Sequence, residues 1–129
     1  MRPPRPPSGA RPILVVDDDA ALRRIVVALL TEEGYAVLEA PDGAAALARA
    51  RAVPPSLILL DMRMPVMTGW EFAGRYRGQP GPHAPIICVT AAPDAAARGA
   101  QIAAAASLSK PFDLDELLAV VRRHVASPA

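Results

Sequence analysis

Residues 57–69 read LILLDMRMPVMTG, an apolar run that ends in a carboxylate and leads into a loop containing proline and glycine. A continuous apolar run of this length is typical of a parallel β-strand that is buried on both faces. We therefore predict a strand at residues 57–60, with Asp61 directly after it. A helix is predicted at residues 69–77.

Similar apolar runs lie on both sides of this stretch and alternate with segments of helical periodicity. Further strands are predicted at residues 13–16, 35–38, 85–89 and 107–109, and further helices at residues 22–30, 42–52, 93–106 and 114–125. Parallel strands joined by right-handed helical crossovers form a doubly wound α/β sandwich with helices on both faces. The predicted order of elements is βαβαβαβαβα.

Polar residues and glycines mark the ends of the predicted helices. Asp19 precedes the first helix and is interpreted as its N-cap, and Gly34 supplies a stop signal. Asp113 and Glu116 have the spacing of a capping box at the start of the last helix. Gly99 lies inside the alanine-rich fourth helix, where it costs about 1 kcal/mol relative to alanine.

The composition is that of one domain with a core built mainly from small aliphatic side chains. The chain has 129 residues, of which 52% are apolar and only 4% aromatic, so closely packed helices on a sheet are expected. We predict the domain at residues 12–126. A disordered leader rich in proline and arginine is expected at residues 1–11, and a frayed end at residues 127–129.

Charge and cysteine content argue against several classes of function. The chain has 14 basic and 13 acidic residues, for a formal charge of +1, which does not provide the basic face of a nucleic-acid-binding protein. No apolar run approaches the roughly 20 residues of a membrane span, and no signal peptide is recognised. Cys88 has no partner for an internal disulfide, so a cytoplasmic location is expected.

The conspicuous polar residues fall at the carboxyl ends of the predicted strands. Acidic residues 17–19 follow the first strand and Asp61 the third, whereas Thr90 and Lys110 follow the fourth and fifth. The ligand crevice of an open parallel sheet lies beyond these strand ends. The sequence therefore predicts that carboxylates, a hydroxyl and an ammonium group meet at one edge of the sheet.

Such a cluster is suited to phosphoryl chemistry that depends on a metal ion. Neighbouring carboxylates either take up a proton or bind a cation, and oxygen ligands favour Mg²⁺. A carboxylate such as Asp61 can form an aspartyl phosphate, and Lys110 can neutralise the charge on its oxygens. Each residue also has a structural interpretation: Asp17 and Asp18 as solvated helix-start charges, Thr90 as a cap and Lys110 as a surface lysine.

Four stretches of the sequence resemble the motifs of bacterial response-regulator receiver domains. They are residues 13–19 (ILVVDDD), 57–69 (LILLDMRMPVMTG), 86–91 (IICVTA) and 109–112 (SKPF). The resemblance extends over nearly the whole chain, from about residue 11 to residue 125. It implies a flavodoxin-like (βα)5 sandwich with a five-stranded parallel sheet in the order 2-1-3-4-5.

The resemblance implies a role for each residue of the cluster. Asp61 would accept a phosphoryl group from a phosphohistidine of a sensor histidine kinase or a phosphotransfer protein. Mg²⁺ would be bound by Asp18 and Asp61, by Asp17 through water, and by the backbone carbonyl of Arg63. Thr90 and Lys110 would hold phosphoryl oxygens, and the Lys110–Pro111 bond would be cis. Apart from this self-phosphorylation and dephosphorylation, no enzymatic activity is expected.

Two features depart from the family pattern. Ser107 stands where the family usually carries tyrosine or phenylalanine, and the interval between Thr90 and Lys110 is about two residues short. The fourth helix, fifth strand and fifth helix form the usual face for a downstream partner, so we expect an atypical partner there. The sequence leaves open whether the chain forms a homodimer, and whether it is a stand-alone switch or a piece of a larger protein.

Two other functions have partial support in the sequence. Phosphatases of the haloacid dehalogenase class carry the motif D-x-D-x-[TV], which residues 17–21 (DDDAA) match only in part. A binding module with this fold that signals without phosphate is the second alternative, and Ser107 favours it slightly. Nucleotide-binding glycine motifs are absent, and both His83 and His124 are interpreted as surface residues.

Overall fold

The computed structural model describes residues 11–91 and 95–125. Within these ranges five strands alternate with five helices. The strands are β1 (Ile13–Val16), β2 (Val37–Ala40), β3 (Leu57–Asp61), β4 (Ile86–Ala91) and β5 (Ala106–Lys110). The helices are α1 (Ala20–Glu32), α2 (Gly43–Ala52), α3 (Gly69–Arg77), α4 (Ala95–Gln101) and α5 (Leu114–His124).

The five strands form one parallel sheet in the order β2-β1-β3-β4-β5. The predicted fold class and strand order are therefore confirmed. β1 and β3 lie side by side at the centre, with Val16 opposite Leu60. Because the chain passes from β1 outward to β2 and then back to β3, the strand order reverses between β1 and β3, where a ligand crevice is expected.

Alternate strand residues face two separate cores, because side chains along a strand point to opposite faces. One core contains Leu14, Leu60 and Cys88 together with Phe72 of α3 and Ala46 of α2. The opposite core is lined by the following residues of the strands and of α1 and α5: Ile13, Val15, Leu57, Leu59, Ile87, Val89, Leu108, Val26, Leu30, Leu117 and Val121. Burial on both faces explains why β1 and the first four residues of β3 and of β4 are continuous apolar runs.

The second strand lies two residues later than predicted, at Val37–Ala40 instead of residues 35–38. The amide of Tyr35 donates to the carbonyl of Leu30 and so still belongs to the turn that ends α1. Gly34 adopts a φ of 96° in this turn, as expected of a helix stop. Strand pairing begins only where Val37 comes opposite Ile13.

Helix α4 is shorter than the predicted segment 93–106. Residues 93 and 94 lie outside the described residues, and the helix ends at Gln101. Ala103 has a φ of 51°, and the amide of Ala104 returns to the carbonyl of Gly99, which is the pattern of a Schellman helix end. The alanine run stops being helical here because Ala106 pairs with Ile87 in the sheet.

The predicted N-cap of α1 is present in the structure, whereas the predicted capping box of α5 is not. The Asp19 carboxylate accepts a hydrogen bond from the amide of Leu22 at 3.1 Å, which confirms this N-cap. The capping box at Asp113 and Glu116 is wrong, since Asp113 makes no capping hydrogen bond through its side chain. Both side chains are exposed, so water can satisfy the first amides of α5.

The predicted terminal segments lie outside the described residues, except for Arg11. The domain boundaries therefore stay predictions. Cys88 is completely buried and packs in the core as a small apolar side chain.

Candidate functional site

The candidate site lies at the carboxyl ends of β1 and β3, where the strand order reverses. Asp17 follows β1, and its amide donates to the carbonyl of Ala40 at 3.2 Å. Its side chain is almost buried, with 6% of the residue exposed. One carboxylate oxygen accepts from the amide of Asp19 at 2.9 Å, and the other from Lys110 Nζ, also at 2.9 Å.

Asp61 is the last residue of β3 and is only 5% exposed. Its Oδ1 lies 3.8 Å from Lys110 Nζ and accepts a hydrogen bond of 3.3 Å from the amide of Arg63. Burial and then the neighbouring Asp17 carboxylate raise the pKa of Asp61 from 3.8 to about 7, against the opposing effects of Lys110 and the Arg63 amide. Without a bound cation, the site therefore favours the protonated form of this carboxyl group more than water does.

Asp18 completes a group of three carboxylates. Asp17, Asp18 and Asp61 each have a carboxylate oxygen within 4.8 Å of the others. Asp18 is exposed, whereas the other two are buried, so the group opens to solvent on one side. Hard oxygen ligands on a site that still admits water fit Mg²⁺, which binds through one or two carboxylates and keeps several waters.

Thr90 and Lys110 lie at the same sheet edge on β4 and β5. Asp61 pairs with Val89, so Thr90 is one residue beyond the strand partner of Asp61, and it is 1% exposed. Ala91 pairs with Lys110. The structure thus brings Lys110 against both Asp17 and Asp61, and its bond to Pro111 is cis. The Arg63 amide donates to Asp61, and the role of the Arg63 carbonyl as a metal ligand stays a prediction.

The loop after Asp61 folds back tightly on the strand end. A Cβ at Gly69 would lie 2.6 Å from the Met62 sulfur and 3.0 Å from the carbonyl oxygen of Asp61, so this position requires glycine. Val66 has a φ of 70° and is 84% exposed, and the amide of Met67 donates to the carbonyl of Pro65 at 2.7 Å. A β-branched residue is strained in this conformation.

Arg23 is a site residue that the sequence interpretation missed. It donates from one terminal guanidinium nitrogen to the backbone carbonyl of Asp17 at 2.6 Å and from Nε to Glu39 at 2.8 Å. A signal was present in the sequence, because a cation in the first turn of a helix opposes the helix dipole and calls for a specific partner.

Ser107, at the position where the resemblance implies an aromatic ring, packs directly beneath α4. A Cβ added to Gly99 would collide with Ser107 Oγ, so the helix backbone lies against the serine side chain. Arg77 of α3 donates to the carbonyls of Ile102 and Ala103 just after α4. Trp70 donates to Gln101 at 2.7 Å. Helix α4 is therefore held against both β5 and α3.

Among the described residues, no helix is both long enough and apolar enough to cross a membrane.

The family model and two similar curated proteins point to the same family. The family model described as the response regulator receiver domain matches residues 13–122. The transcriptional regulatory protein KdpE of Mycobacterium tuberculosis is 36% identical over 121 residues, which cover 89% of this chain and 53% of KdpE. The response regulator MprA of the same species is 41% identical over 112 residues, or 85% of this chain and 48% of MprA. The chain thus spans about half the length of these curated relatives.

A solved structure agrees over almost its full length. The response regulator protein TrrA from Thermotoga maritima, in complex with Mg²⁺ and BeF, is 34% identical with a TM-score of 0.79, and the match covers 89% of this chain and 99% of TrrA. The sheet order, the acidic group at the strand ends and these likenesses agree. This chain belongs to the family of response regulator receiver domains, which are signalling domains of two-component systems and not conventional enzymes.

Proposed function

We propose that this receiver domain accepts a phosphoryl group on Asp61 from a phosphohistidine and that phosphorylation shifts its conformational equilibrium. The observation that carries the proposal is the position of Asp61. Its carboxylate lies at the end of a rigid central strand, 3.8 Å from an ammonium group and beside two further carboxylates. A nucleophile, a neutralising cation and a potential metal site are thus close together.

The transfer step follows from this arrangement. A carboxylate oxygen of Asp61 attacks the phosphorus atom while the phosphorus–nitrogen bond to the imidazole breaks. The imidazole nitrogen keeps the bonding electron pair and takes up a proton. Lys110 is near enough to Asp61 to neutralise charge on the transferred oxygens, and we assign Thr90 a hydrogen bond to one of them.

Asp17, Asp18 and Asp61 would hold Mg²⁺, with the Arg63 carbonyl as a further predicted ligand. When bound, the ion stabilises negative charge on the attacking and transferred oxygens. Asp61 must be ionised to attack, yet its pKa is raised to about 7 in the absence of a cation. Metal binding favours the ionised form, so we expect phosphorylation to require Mg²⁺.

The proposal is tested by the intact mass of the protein after incubation with acetyl phosphate and Mg²⁺. We expect the wild type to gain one phosphoryl group and Asp61→Asn to gain none. Labelling of the asparagine variant would refute Asp61 as the acceptor. We also expect phosphorylation of the wild type to change Trp70 fluorescence, because Trp70 donates a hydrogen bond to Gln101 of α4. In Lys110→Ala, any phosphorylated form should lack this change.

A receiver-like binding module that works without phosphate is the second candidate. The close packing of Gly99 on Ser107 favours it, because a helix seated on the strand leaves little room for a side chain to rotate beneath it. A folded wild-type protein that binds Mg²⁺ but gains no phosphoryl group would support this candidate.

We also propose two kinds of protein partner for this domain, a phosphodonor and a downstream target. We assign the phosphodonor role to a sensor histidine kinase or a phosphotransfer protein, and the downstream contact to the face formed by α4, β5 and α5. KdpE is named a transcriptional regulatory protein. Because this chain spans only about half of KdpE, we do not assign an effect on transcription to this chain. A cytoplasmic location and a homodimer remain predictions.

A further inference from the structure

Arg23 connects Asp17, the first residue of the acidic site, to the edge strand β2. Its side chain is 16% exposed, whereas that of its partner Glu39 on β2 is 50% exposed. The guanidinium bridges the Glu39 carboxylate at 2.8 Å and the Asp17 carbonyl at 2.6 Å. Two directed hydrogen bonds from one planar group orient both partners, which a lysine ammonium cannot do as well.

The position of Arg23 is electrostatically unfavourable for a residue without a specific role. It lies in the first turn of α1, where the helix dipole disfavours a cation, and it is largely removed from water. Its nitrogens come within 4.0 Å of Glu39 but not of the carboxylates of Asp17, Asp18 or Asp61, all of which the structure describes. Arg23 therefore does not neutralise the site directly, since Lys110 occupies that position.

The structure assigns to Arg23 the role of a positioning residue for the metal site, an inference that rests on the proposed function. The Asp17 carbonyl and the Asp18 amide share one rigid peptide plane. By holding this carbonyl, Arg23 sets the direction in which the chain leaves β1 and presents Asp18. Asp17 is then fixed at three points, by the Asp19 amide, by Lys110 and by Arg23.

Positioning and simple electrostatics predict opposite effects of removing this arginine. If Arg23 acted only through its charge, its loss would make the acidic site more negative and Mg²⁺ would bind more tightly. If it positions the loop, its loss lets the carboxylates move apart and Mg²⁺ binds more weakly. Residues that orient metal ligands typically change metal affinity by about tenfold or more when substituted.

The experiment is a Mg²⁺ titration of the folded protein, followed by Trp70 fluorescence and by calorimetry. We expect Arg23→Met to raise the Mg²⁺ dissociation constant by about tenfold. Arg24→Met is the matched control, because Arg24 is exposed and carries the same charge one residue further along α1. It should leave the dissociation constant unchanged or slightly lower. Unchanged or tighter binding by Arg23→Met would overturn the inference.

Two conservative variants keep the test decisive if Arg23→Met folds poorly. Arg23→Lys keeps the charge, but its compact ammonium group orients two acceptors less well than a planar guanidinium, so it should still weaken Mg²⁺ binding. Glu39→Gln removes the outer anchor of the guanidinium and should weaken it by a smaller factor. Wild-type affinity in both would overturn the inference. Circular dichroism and urea unfolding establish that each variant is folded.

Phosphorylation separates this inference from the proposed function. With acetyl phosphate, Arg23→Met should need more Mg²⁺ for half-maximal labelling but reach the wild-type level at saturating Mg²⁺. Failure of the wild type itself to gain a phosphoryl group would refute the proposed function. A labelled wild type together with unaltered Mg²⁺ dependence in the variant would refute only the role of Arg23.

Discussion

Replacing Asp61 by asparagine should stabilise the metal-free protein, because the fold holds a carboxylate where its charge is unfavourable. Burial and then the Asp17 carboxylate raise the pKa of Asp61 from 3.8 to about 7. At 1.36 kcal/mol for each pKa unit, ionising Asp61 costs about 4 kcal/mol more in the folded than in the unfolded chain. Asparagine removes the charge and can still accept the hydrogen bond from the Arg63 amide.

The expected effect depends on pH in a defined direction. A carboxyl group whose pKa is raised by folding binds its proton more tightly in the folded state, so its stabilising contribution is complete below about pH 4 and is lost as the pH rises through about 7. The advantage of Asp61→Asn over the wild type should therefore be small near pH 4. It should grow steadily between about pH 5 and pH 7 and reach at most about 4 kcal/mol near pH 7.5.

Urea unfolding in the presence of a chelator measures this difference directly. The free energy of unfolding is compared between wild type and variant across this pH range, with Asp113→Asn as a control at an exposed carboxylate of the same type. Adding Mg²⁺ should reduce the advantage of Asp61→Asn, since the ion stabilises only the chain that retains its ligand. A difference that does not change with pH, or a variant less stable than wild type near pH 7.5, would refute the reasoning.

Three further predictions concern packing, reactivity and capping. Gly99→Ala should lower the free energy of unfolding of the wild type by about 1–3 kcal/mol, measured by urea unfolding, because the new methyl group collides with Ser107 Oγ. In a Ser107→Ala background the same substitution should raise the free energy of unfolding, and an effect of the same sign in both backgrounds would contradict the proposed packing. Burial raises the pKa of the Cys88 thiol to about 11, so iodoacetamide near neutral pH should label only the urea-unfolded chain by mass spectrometry, and rapid labelling of the folded protein would count against this. Asp42→Ala should lower the thermal midpoint through loss of about 1 kcal/mol, because its carboxylate accepts the Ala45 amide at 2.8 Å, whereas Asp113→Ala should have a smaller effect, and equal losses would show that the side-chain bond does not matter.

The strands and the placement of the acidic residues could be read from the chain because their signals are local. An apolar run such as residues 57–60 requires burial on both faces, and this requirement already implies helices on both sides of a parallel sheet. Asp17 and Asp61 could be assigned to the carboxyl ends of the strands because each directly follows such a run, and Lys110 because it directly follows the predicted strand at residues 107–109. Motif resemblance then suggested a role for each of them.

Element boundaries in the weakly patterned segments could not be read in this way. Every residue in an alanine run has nearly the same helical propensity, so the sequence carries no mark of where α4 ends. The pairing of Ala106 with Ile87 and the hydrogen bonds from Arg77 decide that end. Both partners are distant in sequence and become neighbours only when the sheet is assembled.

The sequence by itself determined the alternation of strands and helices, the fold class and the group of residues at the strand ends. Only the tertiary structure decided that Arg23 holds the carbonyl of Asp17, that Gly99 lies against Ser107, and that burial raises the pKa of Asp61. The physical reason is that a buried strand and the residue that ends it are marked by a short, local stretch of sequence. Hydrogen-bond geometry, close packing and desolvation depend on which distant residues come together.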